Sequence, residues 1–286
     1  MEAKTLDASA FRHGQRQQWN SAATGWRKWS KLIDAATSGI SERLVELAGI
    51  EPGSRVLDVA AGYGEPSLTA ARRAGADGAV VATDISAEMI AFGRERVAAA
   101  GLKNIEFVES DAVSLEFAEA SFDAALSRFG IIFEPDGEGA ATRVRSFLTP
   151  GGRMAISSWG TPDRVPFLAI PMWTARQRLG VAPPPAGTPG PLSRPTPEAL
   201  GHLLEAAGFS DVEVEESEAT MEWRSPEEFT TFVQEIAPPI TAMIAPHPQE
   251  MQDQAWAAIT EAVRELAAST GAVRFSNLAL LAAGRA

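Results

Sequence analysis

The sequence predicts an α/β fold, a doubly wound, seven-stranded, mostly parallel sheet carrying a helical cap. Three observations predict it. Short apolar runs alternate with helical stretches from Arg55 to about Ser158, the order that builds parallel βαβ units. The first run, Val56-Leu57-Asp58-Val59, enters a tight turn, Ala60-Ala61-Gly62-Tyr63-Gly64. The first three runs carry an acid at or just beyond their ends: Asp58, Asp84 and Asp111.

In chain order, residues 10–50 read as helical. Trp19, Trp26 and Trp29 interleave there with Arg12, Arg16, Arg27, Lys28 and Lys31. Residues 41–48 give a second amphipathic helix, with Leu44, Leu47 and Ala48 at helical spacing. Glu51-Pro52-Gly53 ends it, so residues 1–49 form an N-terminal helical lid and residues 50–160 the core. After the Gly-x-Gly turn a helix covers 65 to about 73, and residues 78–84 form the second strand. Ser86 caps the next helix, placing Met89 at its third position. Strands follow at 104–109 and 122–127. A helix at about 139–148 and the turn Thr149-Pro150-Gly151-Gly152 lead to a fifth strand at 153–159.

Proline recurs from Pro162 to Pro195, so residues 161–196 are expected to avoid long helices and to form a covering segment or mobile loop. Residues 197–286 complete the core, at 197–218 and 272–286, around an inserted helical cap, 219–271. Thr196-Pro197-Glu198 opens a helix that ends at Gly208, and residues 209–214 form the sixth strand. Ser225 caps a helix with Pro226 at its first position. Helix then predominates to about residue 270, broken at Pro238-Pro239 and Pro246-His247-Pro248, and residues 277–283 supply the last strand.

Composition narrows the function. The chain has 286 residues, 45% of them hydrophobic and 22% charged, which suits one large globular domain or two small ones. It has no cysteine, which excludes disulfides, thiolate metal sites and a thiol nucleophile. Three scattered histidines, His13, His202 and His247, lack metal-ligand spacing, and no metal is expected. A net charge of −12 repels polyanions, so a nucleic-acid substrate is disfavoured. No apolar run is long enough for a membrane span, and residues 1–7 lack the apolar core of a signal peptide. Cytoplasm is the default location, and no oligomeric state is read from the sequence.

The Gly-x-Gly turn lets a backbone approach a ligand closely, because Gly62 and Gly64 have no Cβ. Asp58 decides which ligand. A dinucleotide would lay its pyrophosphate over this turn, where a carboxylate repels it. S-adenosylmethionine (SAM) has no phosphate, and its ammonium and sulfonium favour a neighbouring carboxylate. Asp84, at the second strand end, is placed to accept both ribose hydroxyls of an adenosine, and Ile85 to cover one face of the adenine.

Asp58-x-Ala60-x-Gly62-x-Gly64 resembles motif I of the class I SAM-dependent methyltransferases, with Ala60 in place of the first glycine. Leu148-x-Pro150-Gly151-Gly152 resembles the same family's turn after the fourth-strand helix. The layout is similar to the small-molecule, ubiquinone/menaquinone-biosynthesis type. The resemblance implies a Rossmann-like sheet whose last strand enters antiparallel beside the fifth. It implies SAM as cofactor, held by Asp58, Ala60, Gly62, Tyr63, Gly64, Asp84, Ile85, Met89, Asp111, Ala112 and Ser127. Asp111 would accept from the adenine amino group, and backbone at Ser127 would line the methionine. The implied reaction passes a methyl group to a small-molecule acceptor by in-line displacement. The acceptor atom is left open among oxygen, nitrogen, sulfur and carbon.

On the acceptor side, Arg128 and Phe129 follow the fourth strand. Arg128 either binds a substrate carboxylate or phosphate, or pairs with Asp58, Glu134 or Asp136. Trp19 and Trp26 either pack on the sheet or form a lid, one of them covering the sulfonium. Tyr63 either touches the methionine or simply packs. His13 and His247 are the candidate imidazole bases. Three alternatives stand beside methyl transfer. One is an NAD-dependent oxidoreductase, disfavoured by Asp58 and by Ser67 in the third-glycine position. The others are a SAM-binding regulator without turnover and a SAM-assisted enzyme that transfers no methyl group.

Overall fold

The computed structural model describes residues 7–185 and 187–286. Residues 1–6 of the expected lid and residue 186 of the Pro-rich segment lie outside that description.

The first element, α1 (Ala8–Leu47), is one helix of 40 residues rather than two. Asp7 starts it by accepting from the Ser9 and Ala10 amides. No proline interrupts the chain before Pro52, and Ile33, Ile40 and Leu44 are buried along its second half, so the apolar face runs on without a break. Then β1 (Arg55–Val59), α2 (Ser67–Ala74), β2 (Ala79–Asp84), α3 (Ala87–Ala99) and β3 (Ile105–Glu109) wind one half of the sheet. The other half follows from β4 (Phe122–Arg128), α4 (Gly137–Phe147) and β5 (Leu148–Trp159). Ser86 caps α3 by accepting from the Met89 amide at 3.1 Å.

Across the seven-stranded sheet the order is β3-β2-β1-β4-β5-β7-β6. Strands β1 to β5 are parallel, and β7 (Val273–Arg285) runs antiparallel to both its neighbours, as the family resemblance implied. Residues 277–284 of β7 are all buried, which suits an interior strand covered on both faces.

Besides α1, three elements differ from the sequence reading. The Pro-rich segment contains a regular helix, α5 (Pro166–Leu179). Pro166 sits at its first position, where a missing N–H costs nothing, and Pro171 is the only interior proline. The described residues among 183–195 stay irregular up to α6 (Pro197–Ala206), which Thr196 caps. The sixth strand, β6 (Ser210–Trp223), extends well past Val214. Its alternation of acidic and small or apolar side chains gives no apolar run, although it is the pattern of a strand with one wet face. The inserted cap therefore begins not at 219 but with α7 (Pro226–Ile236), followed by α8 (Pro238–Ile244) and α9 (Gln249–Arg264). Among the described residues no helix is long and apolar enough to cross a membrane.

Candidate active site at the carboxyl ends of the strands

At the carboxyl ends of β1, β2 and β4 lies a cavity of about 210 Å³, the crevice position of open α/β sheets. The turn after β1 forms its floor. Ala60 holds φ +58°, a left-handed conformation that costs an L residue energy. Gly130, after β4, makes room for it: a Cβ on Gly130 would stand 2.4 Å from the Cβ of Ala60. Gly62 has φ +55°, lines the cavity, and would direct a Cβ into open space. A side chain there would occupy ligand volume.

Asp84 braces the turn. One carboxylate oxygen accepts from the Gly62 amide and the other from the Ser86 amide, each at 2.8 Å. Burial pushes its carboxyl up to about 6, against the pull of the Ser86, Gly62 and Ile85 amides. It still lines the cavity, with Ile85 and Met89 beside it and Ser110, Asp111 and Ala112 across. Asp111 uses one oxygen to accept from the Val113 and Ser114 amides.

Asp58, Gly64 and Ser127, expected to contact the cofactor, do not line the cavity. Asp58 is fully buried behind the turn. Its Oδ2 accepts from the Ser67 hydroxyl at 2.5 Å, and its Oδ1 has no partner. Burial pushes this carboxyl up to about 7, although Ser67 and Arg128 both favour the charge. Gly64 faces α3 and β3 instead: a Cβ there would meet Leu68, Gly93 and Phe107 at ordinary contact distance. The Ser127 side chain accepts from the Ile131 amide and shapes the turn after β4.

Tyr63 is a junction. It is buried between Trp26 of α1 and Phe92 of α3, and its hydroxyl donates to Asp34 at 3.0 Å. Burial holds the phenol well above its ordinary range. Arg128 corrects the sequence reading, because it pairs with none of Asp58, Glu134 or Asp136. One guanidinium nitrogen donates to Thr37 and Ser41 of α1, at 2.8 and 2.9 Å, and the other approaches the Tyr63 hydroxyl at 3.4 Å. Glu134 instead takes a bidentate pair from Arg12, with bonds of 2.6 to 3.0 Å. Both of those residues line the cavity, which ties the start of α1 to the turn after β4.

Trp19 and Trp26 line the cavity and also pack. Trp19 meets Phe133 edge-on, and the Trp26 indole donates to the Ile236 carbonyl. Phe129, at φ +56°, stacks on Trp159 with ring centroids 4.1 Å apart. The sequence reading expected a covering segment and a helical cap but named none of the residues of the far wall. It comprises Phe167, Leu168 and Met172 of α5, Met221 of β6, Phe232 and Ile236 of α7, and Ile240 of α8. Their apolar spacing is that of any packed helix, so no local signal marks them as cavity residues. His13 is exposed on α1 beside Gln17, and neither it nor His247 lines the cavity. Both positions correct the expectation of an imidazole base. Among the described residues no group of side chains has metal-binding geometry.

Residues 56–152 match the family described as a methyltransferase domain. An uncharacterized protein of Mycobacterium tuberculosis is 35% identical over 160 residues, covering 54% of this chain and 55% of that protein. The ubiquinone/menaquinone biosynthesis C-methyltransferase of Teredinibacter turnerae is 33% identical over 141 residues, covering 48% of this chain and 57% of the relative. The chain thus spans about half the length of the curated relatives it matches. The YcgJ protein of Bacillus subtilis shares the fold, with a TM-score of 0.55 and 17% identity over 86% of this chain and 98% of that one. Motif I and the acid-bearing strand ends fall in or beside the matched residues 56–152, so this part of the chain is similar to the methyltransferase domain, and the strand order is that of the shared fold.

Proposed function

We propose that the protein transfers a methyl group from SAM to a small, largely apolar acceptor. The observation that carries the reading is the pairing of Asp84 with Gly62 on the rim of the cavity. It sets a carboxylate for ribose hydroxyls beside a turn open to a ligand backbone. The orphan Oδ1 of Asp58, directly behind that turn, suits a cationic ligand and would repel a pyrophosphate. The ubiquinone/menaquinone relative and the methyltransferase-domain match support the same reading.

When bound, SAM supplies a methyl group already activated by its sulfonium. The chain's contribution is alignment and exclusion of water. Phe129, Trp159 and Phe167 form an aromatic wall, with Trp19 and Trp26 closing from α1. The cavity residues drawn from α5, β6, α7 and α8 include no titratable side chain. The cap therefore takes no proton, and an acceptor that needs a base has to find it among the carboxylates of the opposite wall, such as Asp111 and Glu134. Calorimetric titration with SAM, S-adenosylhomocysteine and NAD tests the cofactor. Binding of NAD without SAM overturns the reading. A radiolabelled methyl-transfer screen over apolar acceptors tests turnover. SAM binding without transfer to any of them would favour a regulatory or SAM-assisted role.

A further inference from the structure

The cap gives the cavity no hydrogen-bonding side chain. Every lining residue from α5, β6, α7 and α8 is apolar, from Phe167 and Met172 to Met221, Phe232 and Ile240. An acceptor that turned an oxygen toward that wall would bury it unpaired. The long helix α1 is different, because it lines the cavity with Arg12, Gln15, Trp19, Trp26 and Thr37. Most of these polar groups are already engaged. Thr37 donates to the Ile33 carbonyl and accepts from Arg128. The Trp26 indole donates to the Ile236 carbonyl at 3.1 Å, and the Trp19 indole to Oε1 of Gln15 at 3.0 Å.

That last bond leaves a donor free. An indole N–H can only donate, so the Gln15 atom it meets is the oxygen, and the amide nitrogen is left over. Among the described residues this nitrogen has no partner, and it is not sealed from solvent. Arg12, one turn earlier, spends Nε and Nη2 on Glu134 and leaves Nη1 without a partner. The hydrogen bond from Glu134 holds the Arg12 proton more firmly, and the charges of Glu134, Asp111 and Asp136 add to it. One cation thus stands among three carboxylates. A carboxylate or phosphate brought there meets a net negative field, whereas an uncharged oxygen escapes that repulsion. Resting on the reading of this cavity as a methyl-transfer site for an apolar acceptor, we infer that Gln15 is a specificity-determining residue. Its amide N–H binds an uncharged carbonyl-type oxygen on the acceptor, and Trp19 fixes the amide's orientation. The acceptor class is then an apolar body bearing a neutral, hydrogen-bond-accepting oxygen.

Acetophenone, ethylbenzene and benzoate share one ring, differ at one substituent and serve as probes. Ligand-observed NMR titration of the full chain saturated with S-adenosylhomocysteine gives the three affinities. Gln15→Glu keeps the oxygen that Trp19 needs and removes the amide donor, while Gln15→Met removes both at similar length. In either variant the ratio of acetophenone to ethylbenzene affinity should fall about three- to tenfold, the scale of one neutral hydrogen bond, with ethylbenzene itself nearly unchanged. Glu134→Gln frees the charge of Arg12 and should raise benzoate relative to acetophenone by about threefold or more. An unchanged ketone ratio in the folded variants overturns the role of Gln15. Benzoate binding the wild type as tightly as acetophenone overturns the neutral-oxygen class. If S-adenosylhomocysteine binds but neither ethylbenzene nor acetophenone does, the apolar-acceptor reading falls and this inference with it. No binding of S-adenosylhomocysteine by the wild type marks failure of the cofactor reading instead.

Discussion

Gly130 and Ala60 face each other so closely that a Cβ on the glycine would stand 2.4 Å from the alanine's. The substitution of Ala60 for a motif glycine is matched by an absent side chain 70 positions along the chain. Gly130→Ala should therefore lower stability by about 1–3 kcal/mol, the range for overpacking a filled site. Ala60→Gly alone should be nearly neutral, since relief at φ +58° offsets the added chain entropy. The double variant should recover most of the loss. Thermal melts of all three variants measure the coupling, and strict additivity would disprove it.

Asp84→Ala should weaken S-adenosylhomocysteine binding by roughly 1–3 kcal/mol, because ribose hydroxyls would lose a charged acceptor. The same change frees the Gly62 and Ser86 amides, so the ligand-free protein should also melt earlier. Asp84→Asn retains one acceptor and should fall between. Calorimetry paired with melting curves separates the two losses.

The pH dependence of stability has a definite sign. Asp58 and Asp84 are raised to about 7 and about 6 from an ordinary 3.8, so between those values the folded chain binds more protons than the unfolded one. Their contribution is fully present below about pH 4 and is lost as pH rises through 6 to 7. The ligand-free protein should lose melting temperature between pH 5 and pH 8, and Asp58→Asn should flatten that slope. A cationic ligand favours the ionised carboxylates, so SAM binding near pH 6.5 should release protons. Titration in buffers of different ionisation enthalpy detects this. An equally steep slope in Asp58→Asn excludes Asp58 as its source.

Arg12 fastens the start of α1 to Glu134 over the cavity. Arg12→Ala should speed release of S-adenosylhomocysteine by about three- to tenfold, in line with loss of a partly buried ion pair, while association changes less. Stopped-flow Trp fluorescence follows the rate through Trp19 and Trp26. An unchanged dissociation rate would mean the ligand leaves by another path.

Most of the sheet was legible because parallel strands buried on both faces read as apolar runs, and the acids at their ends follow the turn pattern. The limits of legibility are also physical. β6 is wet on one face, so its length is carried by alternation and not by an apolar run. The partners of Arg128 are neutral hydroxyls 87 and 91 residues away, and charge matching along the sequence pointed to carboxylates instead. The cap lining of α5, α7 and α8 has the spacing of ordinary core. Only its placement over the strand ends makes it a cavity wall.

The two outer strands of the sheet leave unpaired backbone that another extended chain could join. β3 offers only the five residues Ile105–Glu109. The long β6 carries Asp211, Glu213, Glu215, Glu216, Glu218 and Glu222 along its length. Bringing a second copy to that edge would crowd charged side chains at nearly every step and would desolvate the ion pairs that Arg285, Arg153, Arg43 and Arg164 make with Asp211, Glu213, Glu215 and Glu216. The acidic residues that hid β6 from an apolar-run search thus guard the sheet against edge-to-edge aggregation. Replacing several of them with Val or Thr would create a sticky border without touching the cavity.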